Sequence, residues 1–284
     1  MGRTVRVAAL QAAFGEDMAA NIEKVARLIR AAAKDGAEVI LPSELFQGPY
    51  FCKTEETKYF ATAYPYREHP VVTKLAPLAA DLGVVLPLSI FERAGQEYFN
   101  SLVMVDDKGA LMGLYRKSHI PDGPGYEEKF YFKPGDTGFK VWETRFGRIG
   151  VGICWDQWFP EAARAMMLAG ADVLFYPTAI GSEPENAGLD TQPRWRRAMI
   201  GHSVSNVVPV VAANRTGDEG GQVFYGSSFI TDDGGDFLAE MNRTEEGFIA
   251  ATLDLDAIAE RRAGWGFFRD RRPGLYHALT GARD

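Results

Sequence analysis

Cysteine and histidine are scarce, with two and four residues among 284. Cys52 and Cys154 are too few to frame a chain of this length with disulfides, so both are expected as thiols in a cytoplasmic protein. His69, His119, His202 and His277 are scattered, with no H-x-x-E-H, H-E-x-x-H or C-x-x-C spacing, and neither metal nor cofactor is expected. No apolar run approaches the roughly 20 residues of a membrane span. The N-terminal M-G-R-T-V-R-V-A-A-L reads as a strand rather than a signal peptide, and Arg6 breaks a myristoylation motif. A basic run is also missing, and the net charge of −7 argues against a nucleic-acid footprint or a polybasic membrane patch. Walker, dinucleotide and G-x-S-x-G motifs are absent; Gly147, Gly150 and Gly152 lie in a strand ahead of a cysteine and open no phosphate loop.

What is present suits a packed α/β protein: 46% hydrophobic and 12% aromatic residues, with charges of both signs interspersed. Residues 5–13 read as a strand, and Ile22, Val25, Ala26 and Ile29 then recur at helical spacing up to Asp35-Gly36. A-E-V-I-L-P follows as a second strand, completing a βαβ unit with parallel strands. A helix over 71–82, the strand V-V-L-P-L-S-I-F and a hairpin around D-D-K-G come next. The second half repeats this order. G-R-I-G-V-G-I-C is strand, 160–170 helix and A-D-V-L-F-Y-P-T strand. W-R-R-A-M-I-G-H-S-V-S-N is helix and V-V-P-V-V-A-A-N strand, and S-S-F-I-T-D-D-G-G-D-F-L-A-E-M closes as a hairpin. The duplication implies two similar half-sheets. No Pro/Gly/Ser linker separates them, so residues 1–284 are expected to form one domain. The aromatic and basic tail G-W-G-F-F-R-D-R-R-P-G-L-Y cannot bury itself and is expected to dock on the body or on a neighbouring subunit.

Ligands of parallel α/β folds bind outside the carboxyl ends of the strands. Cys154 ends one strand, and W-D-Q-W-F-P-E-A-A leads into a helix whose first turn suits Pro160. Such a junction lies near the positive end of the helix and is expected to favour thiolate; an inert packing cysteine is the competing reading. Glu44 in L-P-S-E-L and Lys117 in L-Y-R-K-S-H-I sit just past two other strands. Taken singly, these are a helix cap and a solvated charge. Together they supply a nucleophile, a carboxylate to accept its proton and an ammonium to lower the thiol pKa and stabilise an oxyanion.

With these positions the chain resembles the nitrilase superfamily of carbon–nitrogen hydrolases, from V-A-A-L-Q to D-R-R-P-G-L-Y. The strings G-Y-E-E-K-F-Y-F, C-W-D-Q-W-F-P-E-A-A-R and P-T-A-I-G-S-E-P resemble a subgroup that hydrolyses N-carbamoylputrescine. The resemblance implies a four-layer αββα sandwich and a homo-oligomer of dimers, with the tail, 262–284, along a subunit interface. It also implies a second catalytic glutamate at Glu128 in Y-E-E-K; the neighbouring Glu127 is the alternative, and a surface role fits it better.

A ureido substrate carrying a distant cation needs an acidic end to its pocket. The loop I-G-S-E-P-E-N-A-G-L-D offers Glu183, Glu185 and Asp190, of which Glu183 follows its strand most closely. Tyr126, Trp155 and Trp158 are candidate walls, and His119, two residues from Lys117, is a candidate lining residue with packing as its competing role. Substrates ending in a carboxylate, such as N-carbamoyl-β-alanine, N-carbamoyl amino acids or an ω-amide, would require an arginine from among Arg194, Arg196, Arg197 and Arg215. A non-catalytic protein keeping the fold is the remaining alternative. Cys52, between aromatic residues, reads as a packing or surface thiol.

Overall fold

A computed structural model describes residues 2–186 and 188–281; the end of the tail, 282–284, lies outside the described residues. The chain opens with β1 (Thr4–Gln11), α1 (Met18–Lys34) and β2 (Val39–Leu41), and β1 and β2 pair in parallel. Asp17 caps α1 by accepting the backbone N–H groups of Ala19 and Ala20 at 2.9 and 3.1 Å. Then come α2 (Pro70–Leu82) and three antiparallel strands, β3 (Leu86–Ala94), β4 (Glu97–Val105) and β5 (Leu111–Arg116). A parallel bridge between Val39 and Val85 joins β2 to the start of β3.

The second half is built from β6 (Val141–Thr144), β7 (Gly147–Val151), α4 (Pro160–Leu168), β8 (Val173–Thr178), α5 (Gln192–Asn206) and β9 (Val210–Asn214). A short helix, α3 (Glu128–Tyr131), precedes it. The small hairpin β10 (Thr216–Asp218) and β11 (Val223–Tyr225) leads to β12 (Phe229–Thr231) and β13 (Phe237–Glu240). The last elements are β14 (Gly247–Asp254) and α6 (Leu255–Trp265).

Two sheets result, one ordered β14-β1-β2-β3-β4-β5 across the bridge and the other β13-β12-β9-β8-β7-β6. Both use one design. β1-β2-β3 and β7-β8-β9 run parallel, an antiparallel hairpin follows each, and an antiparallel strand, β14 or β6, closes the remaining edge. The period-2 alternation of strands decides the layering. Val5, Val7 and Ala9 of β1 face Phe175, Val211 and Ala213 of the other sheet. Their neighbours Ala8 and Leu10 turn outward to Ile22, Val25 and Ile29 of α1 and Leu75 of α2. On the far side Leu174, Tyr176, Val210 and Ala212 pack under Met166 of α4 and Trp195 and Met199 of α5. The architecture is a four-layer αββα sandwich.

Two features depart from the sequence reading. Strand β14 was not expected; it pairs along the whole of β1, from Thr4 opposite Asp254 to Gln11 opposite Gly247. Half of its residues are only partly buried, and its short apolar run Phe248-Ile249-Ala250-Ala251 becomes a strand by pairing with β1. Residues 262–265, assigned to the tail, are the last turn of α6, which Gly266 ends at φ 71°. The tail proper is anchored to the body through Phe268, which packs on the outer helix layer with the Arg164 guanidinium 4.8 Å from its ring centroid.

His69 caps α2: its Nδ1 accepts the Val71 N–H at 3.1 Å, and burial pushes its pKa down to about 3. The folded state thus keeps this ring neutral while the unfolded chain protonates it below about pH 6.5. Stability contributed near neutrality is therefore lost as the pH falls from about 6.5 toward 3, amounting to roughly 2 kcal/mol at pH 5. Asn in the same place can also cap, but it does not titrate. A His69→Asn protein is expected to show a smaller drop in unfolding free energy between pH 7 and pH 5 than the parent, read by urea denaturation. Equal drops would mean that His69 is not the group responsible.

Candidate active site

Four chain segments meet at the carboxyl ends of the strands. Glu44 follows β2 and Lys117 directly follows β5; because β5 runs parallel to β3, both reach the same rim. Cys154 follows β7, and Ala179 follows β8. The Glu44 N–H donates to the Thr178 carbonyl at 3.3 Å, tying the two sheets together at this rim. The Lys117 chain is held by two backbone bonds, its N–H to Asn100 O and its carbonyl accepting from Gly135 N, both at 2.8 Å. Glycine is required at 135 because a Cβ there would lie 2.1 Å from the Arg116 carbonyl oxygen.

The centre is a buried ammonium between two buried carboxylates. Lys117 Nζ donates to Glu44 Oε1 at 2.9 Å and to Glu128 Oε2 at 2.7 Å, and no part of these three side chains reaches solvent. Asn100 Nδ2 donates to the same Glu44 Oε1 at 2.7 Å, while Glu44 Oε2 has no partner. Tyr50 donates its hydroxyl to Glu128 Oε1 at 2.6 Å. Burial alone would depress the Lys117 ammonium, but Glu128 and Glu44 outweigh it and hold its pKa well above the usual lysine range. Burial raises the Glu128 carboxyl, with Lys117 pulling the other way. Of the two adjacent glutamates, Glu128 is therefore the one in the cluster; Glu127 is half-buried and gives its backbone N–H to Cys52 O at 2.6 Å.

Cys154 lies in the left-handed region, at φ 41°, an uncommon conformation for a residue with a Cβ. Asp156 holds the turn: its Oδ2 accepts the Ile153 N–H at 2.9 Å and the Tyr115 hydroxyl at 2.7 Å, and its Oδ1 accepts the His119 N–H at 3.0 Å. The helical segment starting at Cys154 is a five-residue 3-10 turn ending at Trp158, and α4 begins only at Pro160. The expected thiolate-favouring helix end is thus lacking. Burial, followed by Glu44, raises the thiol pKa well above its ordinary value, and Lys117 opposes them only in part. The resting group is a thiol. Glu44, whose Oε2 is free, is the adjacent carboxylate able to accept its proton.

Cys154 and Glu128 line a cavity of about 420 Å³. Tyr126, Trp155 and Trp158 form aromatic walls, while Asp122 and Glu183 bring carboxyl groups and Arg194 a guanidinium. Glu183 is half-buried, whereas Glu185 is exposed and Asp190 is paired with Arg243 at 2.6 Å. The Tyr126 hydroxyl is committed to the scaffold, accepting from Gly181 N at 3.0 Å and Gln222 Nε2 at 2.8 Å, so only its ring is offered to a ligand. His119 does not line the cavity. Its Nδ1 meets Asp156 Oδ1 at 2.7 Å and its ring stacks on Phe159 with centroids 3.6 Å apart, which corrects the substrate-lining expectation to a packing role.

Among the candidate arginines only Arg194 reaches the cavity. Arg196 pairs with Glu240. Arg215 is fully buried against Glu219 at 2.9 Å and donates to the Leu45 and Gly48 carbonyls at 3.1 and 3.0 Å, so it braces the loop after Glu44. Cys52 is buried among aromatic rings and is a packing thiol. Tyr50, Asn100 and Asp156 escaped the sequence reading. A polar residue inside the apolar run F-N-S-L-V-M-V was the available signal for Asn100; Tyr50 gave none.

Residues 6–263 match the family model for carbon–nitrogen hydrolases. The chain is 54% identical to N-carbamoylputrescine amidase from Solanum tuberosum, over 98% of this chain and 95% of that protein. It is 49% identical to citrullinase from Francisella tularensis, over 97% of this chain and 98% of that protein. A solved carbon–nitrogen hydrolase from Helicobacter pylori superposes with a TM-score of 0.93 at 38% identity, covering 99% of this chain and 100% of that one.

Because the Cys154 thiol is held protonated by burial and by Glu44, its ultraviolet thiolate band is expected to be missing at neutral pH. The difference in absorbance near 240 nm between the parent and Cys154→Ala measures this directly. A full thiolate signal at pH 7 would show that Lys117, and not burial, dominates the thiol.

Proposed function

The chain belongs to the carbon–nitrogen hydrolase family, and on that premise we propose that it hydrolyses N-carbamoylputrescine to putrescine, carbon dioxide and ammonia. The observation that carries this reading is the cavity itself, with Cys154 beside the buried Lys117 cluster and Glu183 in the same lining as the rings of Tyr126, Trp155 and Trp158. Relatives that share about half of its residues across nearly its whole length and are N-carbamoylputrescine amidases support it.

In this reading Glu44 Oε2 takes the Cys154 proton and Sγ attacks the ureido carbonyl carbon. The Lys117 ammonium and the Trp155 backbone N–H stabilise the oxyanion. The tetrahedral adduct collapses as Glu44 returns its proton to the departing nitrogen, leaving the carbonyl bound to sulfur as a thioester. Glu44 then removes a proton from water, which releases Cys154 as a thiol. The carbamic acid so formed falls apart to carbon dioxide and the second amine. Glu128 keeps Lys117 charged and in place. Glu183 holds the distant ammonium, and the rings of Tyr126, Trp155 and Trp158 cover the methylenes between.

Arg194 in the same cavity supports a second reading, in which the substrate is an ω-ureido α-amino acid that presents ammonium and carboxylate together, as citrulline does. The organisation in the cell belongs to the proposal as well: one domain over 1–284, acting in the cytoplasm as a homo-oligomer with the tail at a subunit interface. The exposure of Trp265, Leu275 and Leu279, each about two-thirds accessible, supports that interface.

Ammonia release from N-carbamoylputrescine, citrulline and N-carbamoyl-β-alanine, measured side by side, tests the substrate. Preference for the first is expected; preference for citrulline would move the assignment to the second reading. Cys154→Ala is expected to abolish turnover, and substantial residual activity would remove the nucleophile. Glu183→Gln is expected to raise KM for the cationic substrate about tenfold or more, as the loss of a charge-assisted contact demands. An unchanged KM would place the ammonium elsewhere.

A further inference from the structure

We infer that Asn100 is a positioning residue that decides which oxygen of Glu44 acts as the base. This rests on the proposed role of Glu44. A carboxylate has two equivalent oxygens, and Lys117 alone, bound to one of them, would leave the group free to rotate and offer either. The structure breaks that equivalence. Glu44 Oε1 accepts two donors at once, Lys117 Nζ at 2.9 Å and Asn100 Nδ2 at 2.7 Å, whereas Oε2 is buried with no partner. Rotation would require both bonds to break at a side chain with no exposed surface. The lone pairs of Oε2 are thereby reserved for the thiol proton.

Asn100 is suited to this by its place in the sheet. It lies on β4 beside Ser101, which pairs with Arg116 at the end of β5, and its own carbonyl accepts the Lys117 N–H at 2.8 Å. One residue therefore sets the lysine backbone and the base carboxylate in a single frame. Asparagine fits where aspartate would not, since an ionised carboxylate has no hydrogen to donate to Glu44 Oε1 and would repel it. The side chain is fully buried, and its Oδ1 makes no bond, so no other contact explains a polar group in this apolar strand.

The test is Asn100→Leu in the full chain, with kcat and KM measured across about pH 5 to 9 and folding followed by thermal unfolding. The charged and titratable groups around the base, Lys117, Glu128 and Cys154, are unaltered in the variant. Loss of one hydrogen bond to a charged group predicts kcat lower by about 10- to 100-fold. KM should stay near the parent value, because Asn100 is not in the cavity lining. The acid limb of the rate profile should move to higher pH, since a carboxylate that has lost a donor holds its proton more tightly. Should the leucine variant not fold, Asn100→Ala removes the same donor and reads the same quantities. A folded variant with parental kcat and an unmoved acid limb overturns the inference. So does an activity loss that merely tracks the loss of folded protein. Glu44→Gln, run alongside, separates the two claims: turnover surviving in that variant would defeat the base assignment itself, whereas an inactive Glu44→Gln beside an unaffected Asn100→Leu would defeat only this one.

Discussion

An ammonium that no water reaches must be neutralised on the spot, and the site is arranged around that demand. Lys117 is compensated by Glu44 at 2.9 Å and Glu128 at 2.7 Å, and removing one side of such a buried pair typically costs roughly 3–5 kcal/mol. Burial first and the Glu44 carboxylate second raise the thiol of the neighbouring Cys154, with Lys117 opposing them only in part. The same arrangement that keeps the lysine charged therefore keeps the cysteine neutral. In the proposed reaction Glu44 Oε2, which has no hydrogen-bond partner among the described residues, takes the thiol proton when substrate is bound. A pre-formed thiolate in this cavity would be open to oxidation; a buried thiol is not.

The supports of the cluster are themselves buried polar groups. The loop after Glu44 turns through Leu45 at φ 47°, and the Arg215–Glu219 pair holds its carbonyls at Leu45 and Gly48. Six residues from the base, the same loop delivers the Tyr50 hydroxyl to Glu128. On the opposite sheet Asp156 holds the left-handed turn at Cys154 with three backbone or hydroxyl donors. Two of the four non-glycine residues with positive φ are thus Leu45 and Cys154, each braced by a buried carboxylate or guanidinium. Strain and the groups that hold it coincide with the chemistry, as expected where geometry must be over-determined.

The cavity adds selectivity to this common chemistry. Beside the rings of Tyr126, Trp155 and Trp158, its lining carries the carboxyl groups of Asp122, Glu128 and Glu183 and the guanidinium of Arg194. Desolvation raises the Glu183 carboxyl and Arg194 lowers it, so the two are coupled across the opening.

Much of this was present in local sequence. Helices α1, α2, α4 and α5, the parallel strands and both hairpins follow from apolar period and turn residues, because those signals are carried by neighbours a few positions apart. The positions of Glu44, Lys117 and Cys154 just past three strands were legible for the same reason, as was that of Glu183 in the loop after β8. Strand β14, with its partly buried residues, was not, since it exists through pairing with β1 some 240 residues away. Tyr50 was likewise hidden, since its partner Glu128 lies 78 positions away, and the polar Asn100 in its apolar strand gave a signal without showing its partner Glu44, 56 positions away. The protonation state of Cys154 reversed between the two views. Sequence places the thiol beside a helix start and a lysine, both of which favour thiolate. Only the tertiary structure supplies the burial that, together with Glu44, outweighs them, because electrostatic balance depends on distances that the linear order does not contain.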